Sequence, residues 1–451
     1  MIAAASFSAT AVIAECDCEV SNLTDELDER DFEALIEYVN SKRTITLQEK
    51  ACNLSISGDI RAEWQHIREK QDGDRRRGGG ATDCSGVDPA GRSGGARIGN
   101  NDFDVEFNLY FDYKCDRTWG VAQLQFDNSM GIKGSNKISP TQGNAQANAE
   151  GVCKRTAAES LQGSGTCDSL CLRRAYWGYN VCADGCSRFD IEVGRRRLYD
   201  VFDSRVQFQS FFDGVLLRYA TQVDCCADAY INFGAFVVDE RSNHFGWVIE
   251  GGLLNLCDSG FDVKYSFIDW KKDGHNRFSN SVQTVRKSKG SRFQVHQLTG
   301  AYHLEPEVLC MPAKLYGAVL WNSAAEKGQA RFNNKRENAA WYLGFLVGEV
   351  CREGDWALDI NYQYVEAQAV PNEDVGGIGR GNVLNENPYQ TDVAANCRGN
   401  ANYQGVHIEG LYAITDNLSV DATFEYARSA EKSIGGPLNY SKWKVATIYA
   451  F

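Results

Sequence analysis

From Asn53 onward one pattern governs the chain: apolar and polar residues alternate with a period of two, segment after segment. Leu54, Ile56, Ile60, Ala62 and Trp64 alternate with Ser55, Ser57, Asp59, Arg61, Glu63 and Gln65. Val105, Phe107, Leu109, Phe111 and Tyr113 alternate with Asp104, Glu106, Asn108, Tyr110 and Asp112, and the same rhythm returns at 122–126, 261–267, 356–364, 418–426 and 443–451. Period two is the signature of strands, because successive side chains point to opposite faces. The spacing predicts an antiparallel barrel of about sixteen strands, from 54–67 to 443–451, of the length a tilted strand needs to cross a bilayer. A water-soluble barrel would carry its polar residues outside; one apolar and one charged face fit a membrane barrel with a wet lumen.

The connections support this and orient the barrel. Short links at "KCDRT", "ADGC", "TQVDC", "CDSG", "PEVLC", "CREGD" and "TDN" alternate with long ones such as 68–98, 133–168 and 370–402. Short turns mark the periplasmic side of such barrels and long loops the outer side. "RSN" at 241–243 is an outer link as short as a turn, which places it at a subunit contact or leaves the neighbouring strand ends misread.

Residues 1–14 read as a signal peptide with small residues before Glu15, although a basic start is missing. Residues 15–52 form a periplasmic N-terminal segment, and 53–451 the barrel. Within that segment Leu27, Phe32, Leu35, Ile36 and Val39 recur at helical spacing behind Thr24, giving one short helix that serves as a lead-in, a plug or an oligomer contact. Export and 16 cysteines point to an oxidising compartment. The net charge of -13 excludes nucleic acid as a partner, and the runs Arg75–Arg77 and Arg195–Arg197 are too short to change that.

No catalytic or cofactor motif emerges. "GGGATDCSG" lacks a phosphate-binding lysine, the 6 His stand singly, and no Ser-His-Asp set can be assembled, so neither an enzyme nor a cofactor is expected. The lumen remains. Its expected lining is Asp59, Arg61, Glu63, Asp104, Glu106, Asp112, Gln123, Gln125, Asp127, Glu192, Arg196, Arg218, Lys264, Asp359, Glu409, Asp421 and Glu425. Both signs occur with an acidic excess, which would pass ions and small polar solutes with weak cation preference.

The cysteines are unevenly placed. Cys115, Cys182, Cys186, Cys225, Cys226, Cys257, Cys310 and Cys351 lie at or beside the short links, while the longer outer loops hold fewer. A barrel needs no disulfides for closure, so several of these should join neighbouring envelope proteins or other copies of the chain, with Cys182 and Cys186 able to close locally.

A cleavable start, the barrel rhythm, the terminal "YAF" and abundant cysteines together resemble the cysteine-rich major outer-membrane porins of chlamydia-related bacteria. The resemblance implies passive diffusion across a bacterial outer membrane, with membrane lipid, the barrel-assembly machinery, and a homo-oligomer or disulfide-linked envelope proteins as partners. It maps the family's terminal assembly signal onto Tyr449 and Phe451. The competing readings are a disulfide-linked scaffold or adhesin barrel and, more remotely, an outer-membrane enzyme.

Overall fold

The computed structural model describes residues 53–71, 74–77, 101–129, 168–183, 186–223, 227–239, 244–270, 293–304, 311–325, 327, 334–371, 374–378, 401–434 and 437–451. The expected leader, the N-terminal helix, the "RSN" link, and Cys225, Cys226 and Cys310 lie outside these residues. So do the side chains of Asp104 and Asp127, whose backbones belong to strands.

In chain order the strands are β1 (Leu54–Gln71), β2 (Asp74–Arg77), β3 (Asn101–Cys115), β4 (Thr118–Ser129), β5 (Asp168–Ala183), β6 (Ser187–Arg197), β7 (Phe211–Val223) and β8 (Ala227–Asp239). They continue as β9 (His244–Leu254), β10 (Phe261–Trp270), β11 (Phe293–Leu304), β12 (Ala313–Asn322), β13 (Ala339–Gly348), β14 (Trp356–Val365), β15 (Tyr403–Ala413), β16 (Leu418–Arg428) and β17 (Leu438–Ala450). Neighbours from β3 to β17 pair antiparallel in sequence order, and β1 pairs with both β3 and β17. The short β2 folds back on the end of β1; the other sixteen strands close a barrel with no free edge. No helix among the described residues is long and apolar enough to cross a membrane, which for a barrel carries no weight.

The strands match the expected positions, with differences at the ends. β1 runs on to Gln71 and β17 starts at Leu438 rather than 443, because these two strands pair as far as Gln71 opposite Leu438. The extra residues are mostly polar, so alternation could not reveal them.

The outer face carries the apolar parity: Ile56, Trp177, Leu343 and Trp443 are each more than half exposed. Rings gather into two bands. Towards the long-loop end Trp247, Phe267, His296 and Trp321 form a row with centroids 4.6 to 5.0 Å apart, and Trp341 stacks on Tyr362. Towards the short-turn end lie the Phe261–Tyr302 pair at 4.5 Å, Tyr412, Tyr449 and Phe451. Amphipathic rings at two levels around an apolar belt are how a barrel meets the two surfaces of a bilayer.

The seam between β1 and β17 is closed at Phe451. Gly58 and Phe451 exchange backbone hydrogen bonds, each 3.0 Å, and the Phe451 ring lies over Gly58 and stacks on Phe107 at 6.2 Å. A Cβ on Gly58 would come within 2.6 Å of that ring, so glycine is what lets the terminal aromatic seat on the wall.

Candidate functional site: a narrowed lumen

The lumen is not uniformly wet. Between β6 and β7 the chain runs through "LYDVFDSRVQFQS", residues 198–210, and folds inward. Leu198, Phe202, Val206 and Phe208 are fully buried. They join Phe212, Leu216, Phe236, Val248, Ile268, Trp270 and Val295 in one apolar cluster against the inner wall of β7 to β11. Rings interlock there, Phe202 with Phe208 at 5.5 Å and Phe236 with Trp270 at 5.6 Å. Each apolar side chain so buried contributes about 1.5–3 kcal/mol, enough to hold an otherwise solvent-seeking loop inside the barrel.

Polar ties spread the loop across the barrel. At the β5 side Arg174 pairs with Asp200 at 3.3 Å. In the middle Lys264 of β10 pairs with Asp203 at 2.8 Å, the Asp203 N–H donates to Glu250 of β9, and the Gln297 amide of β11 donates to the Asp203 carbonyl at 2.6 Å. At the far side Arg205 reaches Asp359 of β14 at 2.5 Å and lies over the Tyr316 ring. Asp359 also accepts the Tyr316 hydroxyl at 2.5 Å, and its side chain is 1% exposed.

A second inward stretch after β14, described at 366–371 and 374–378, meets the first. Ala369, Val370 and Ile378 are buried in the same cluster. The Gly376 N–H donates to the Val206 carbonyl at 2.8 Å, and the Asp374 carboxylate accepts the N–H groups of Phe208 and Ser210, both at 3.0 Å.

The remaining wall, β15 to β17 with β1 and β3, is charged. His407 sits 3.4 Å from both Glu409 and Glu425, and Glu425 also takes Lys442 at 3.6 Å and the Tyr440 hydroxyl at 3.1 Å. Lys444 bridges Asp421 at 2.7 Å and Glu63 at 3.9 Å. Beside them Arg61 pairs with Asp59 at 2.7 Å, and Asn108 donates to Asp59 and Glu106. Opposite charges are interleaved so that nearly every carboxylate on this wall has a cation or an N–H within reach.

The residues named from the sequence divide between these regions. Asp59, Arg61, Glu63, Glu106, Glu409, Asp421 and Glu425 belong to the charged wall. Asp112 shares their parity opposite Ser55, and Gln123 donates to Asn108 at 3.0 Å. Arg196, near the root of the loop, and Arg218, further along β7 towards the short turn, both meet Glu192. Lys264 and Asp359 hold the loop. Asp104 is in register with Glu63, its side chain undescribed. Sequence reasoning missed the inward loop, although its signal was present: Leu198, Val201, Phe202, Val206 and Phe208 are a poor composition for a solvated link.

At the short-turn rim Cys182, Cys257 and Cys351 carry exposed free thiols and Cys115 a half-buried one. Cys182, which the spacing left able to close locally with Cys186, lies at the end of β5, and Cys186 directly precedes β6.

No family model and no curated protein matches the chain. Among solved structures it is similar to Salmonella typhi OmpF in complex with daunomycin, at 15% identity over 88% of this chain and 97% of that one, TM-score 0.44. It is similar to Pseudomonas putida OprB at 9% identity over 92% and 97%, TM-score 0.49, and to a Rhodopseudomonas blastica porin triple mutant at 9% over 88% and 100%, TM-score 0.38. Likeness at this level does not by itself carry a shared function.

Proposed function

We propose that the chain is a bacterial outer-membrane porin, a water-filled channel for passive diffusion of ions and small hydrophilic solutes. One observation carries this: a closed barrel, apolar and ring-banded outside, encloses a charged inner wall faced by an inward loop that narrows the passage. Interleaved charges along one wall set up a transverse field that orients polar solutes, and the loop sets their size. The residues proposed to line the passage are those of the charged wall, with Arg196 at the loop's root and Arg218 further along β7. Purified protein in a planar bilayer should give stable ohmic channels with weak cation preference. Correctly folded protein that never conducts would refute the reading.

Phe451 and Tyr449, exposed on the last strand, are proposed as the address read by the assembly machinery. Deleting Phe451 should lower insertion in cells far more than refolding in detergent, since one side chain contributes only about 1.5–3 kcal/mol of burial. Equal loss in both assays would make its role purely structural.

The exposed thiols favour a second reading beside the first, in which the barrel also serves as a disulfide-linked envelope scaffold, as the cysteine-rich family it resembles implies. Cys182, Cys257 and Cys351 share one rim, where partners in an oxidising space can reach them. Native envelopes on non-reducing gels should then show high-mass species that reductant returns to monomer. Monomer in both lanes excludes the scaffold and leaves the channel reading untouched.

A further inference from the structure

We propose that Asp374 is the positioning residue of the constriction: by gripping the inward loop at Phe208 and Ser210, it makes the 366–378 segment the part that decides how steady and how narrow the passage is. This rests on the channel reading above.

The argument begins with a strained residue. Phe208 has φ of 73°, in the left-handed region that a bulky side chain enters only at a cost of about 1–3 kcal/mol, and such a conformation persists where surrounding structure enforces it. The enforcement is visible. Asp374 is 0% exposed, and its two carboxylate oxygens accept the N–H groups on either side of Gln209, one each. The Gln209 N–H donates to the Asp374 carbonyl at 3.3 Å, and Gly376 binds the Val206 carbonyl, so backbone and side chain grip the same turn. Losing the acceptor would strand two buried N–H groups away from water, which costs more than the hydrogen bonds themselves contribute.

Asp374 in turn hangs from the wall rather than from the loop it holds. Ile378 donates to Gln363 of β14 at 3.1 Å, and the Tyr403 hydroxyl of β15 donates to the same oxygen at 2.8 Å. Gly377 runs so close that a Cβ there would lie 1.7 Å from the Tyr403 hydroxyl. At the other end of the segment Gln368 donates to the Glu337 carbonyl at 2.6 Å, and Asn322 of β12 donates to the Gln368 carbonyl. The grip is thus referenced to β12, β14 and β15, on the far side of the barrel from the strands that give rise to the loop. The grip falls on the β7 end of the loop, at Phe208 and Ser210, and Gly376 extends it to Val206 nearer the middle, where Arg205 reaches Asp359. A loop held only by its parent strands would sample several widths; one also tied to the opposite wall has fewer.

The test compares wild type, Asp374→Asn, Asp374→Ala and, as a control on an exposed outer-loop cation, Lys432→Ala, each in single-channel recordings and in liposome swelling with sugars of increasing size. Asp374→Ala should raise open-channel noise and brief closures severalfold and admit larger sugars. Asp374→Asn keeps one acceptor oxygen and should fall between, while Lys432→Ala should match wild type. Amide exchange at Phe208 and Ser210 should quicken in the same order, with exchange in β12 and β14 unchanged. If Asp374→Ala does not fold, Asp374→Asn alone decides. Wild-type steadiness and size limit in the Asp374 variants would overturn the proposal, as would unchanged amide exchange. A wild type that does not conduct at all would instead overturn the channel reading, and the exchange data would still judge the grip.

Discussion

The two sides of the lumen are built on opposite principles. From β7 to β14 the inner face carries Phe212, Leu216, Phe236, Val248, Ile268, Val295, Leu320 and Tyr342, and the inward loop covers it. From β15 through β17 to β3 the same inner parity carries Glu409, Glu425, Lys442, Lys444, Glu63, Arg61 and Asp59, each answered by a neighbour of opposite sign or by an N–H donor. One side is a core, held by burial; the other is a wall whose charges are balanced locally. The contrast teaches that the inside of a barrel is not one environment. A loop that folds in converts much of the half it touches into protein interior, and the charged lining is concentrated on the other half.

The contrast makes unequal demands on substitution. Phe202→Ala, within the loop, should weaken its docking by about 3–5 kcal/mol, seen as a larger conductance and larger solute limit with the strand signal in circular dichroism unchanged. Should conductance stay the same, the apolar side would not be what holds the loop. The outer face of the charged wall is next. Phe424, ring-packed on Trp443 at 4.4 Å, faces outward where β16 meets β17, and Phe424→Arg should cost about 2–4 kcal/mol at the bilayer midplane in denaturant unfolding in lipid.

On the charged side itself, Lys444→Ala should strengthen cation preference in reversal-potential measurements by leaving the largely buried Asp421, and Glu63 beside it, without their cation. An unchanged reversal potential would mean that this wall does not set the selectivity. The smallest effect belongs to the outer loops. The Ser433 hydroxyl and N–H, then Lys335 at 3.1 Å, hold the Glu431 carboxyl down to about 2. A carboxylate so depressed stabilises above its unfolded value near about 4.3 and loses that contribution as pH falls through this value towards the folded one. Melting temperatures of wild type and Lys335→Ala should therefore differ slightly at neutral pH and converge in strong acid.

Much of this was legible before the fold was known. Alternation located the strands because their outer parity is lipid-facing and apolar everywhere, and the short links located the turns because tight reversals need few residues. The inner parity is where reading faltered. "AKLYGAVLWN" and "AAWYLGFLVG" are apolar on both parities, which is the mark of a strand buried on both faces; Tyr316, Ala318, Leu320, Ala340 and Tyr342 are the inner half of that pattern. The inner apolar face called for a cover, and the apolar residues of 198–210 were the candidate. The role of Asp374 was not legible at all: its grip joins segments far apart in sequence, and no local pattern records it.

The closing of Gly58 on Phe451 also fixes an order in time. β1 and β17 are partners, so a loop spanning the whole barrel sequence must close before the ladder is complete. Until then β1 and β16 each present a bare edge, the condition in which strands pair with the wrong neighbour. A chain built this way has no safe half-finished form. It must be kept extended until its whole length is delivered and then committed to the membrane in a single act of closure.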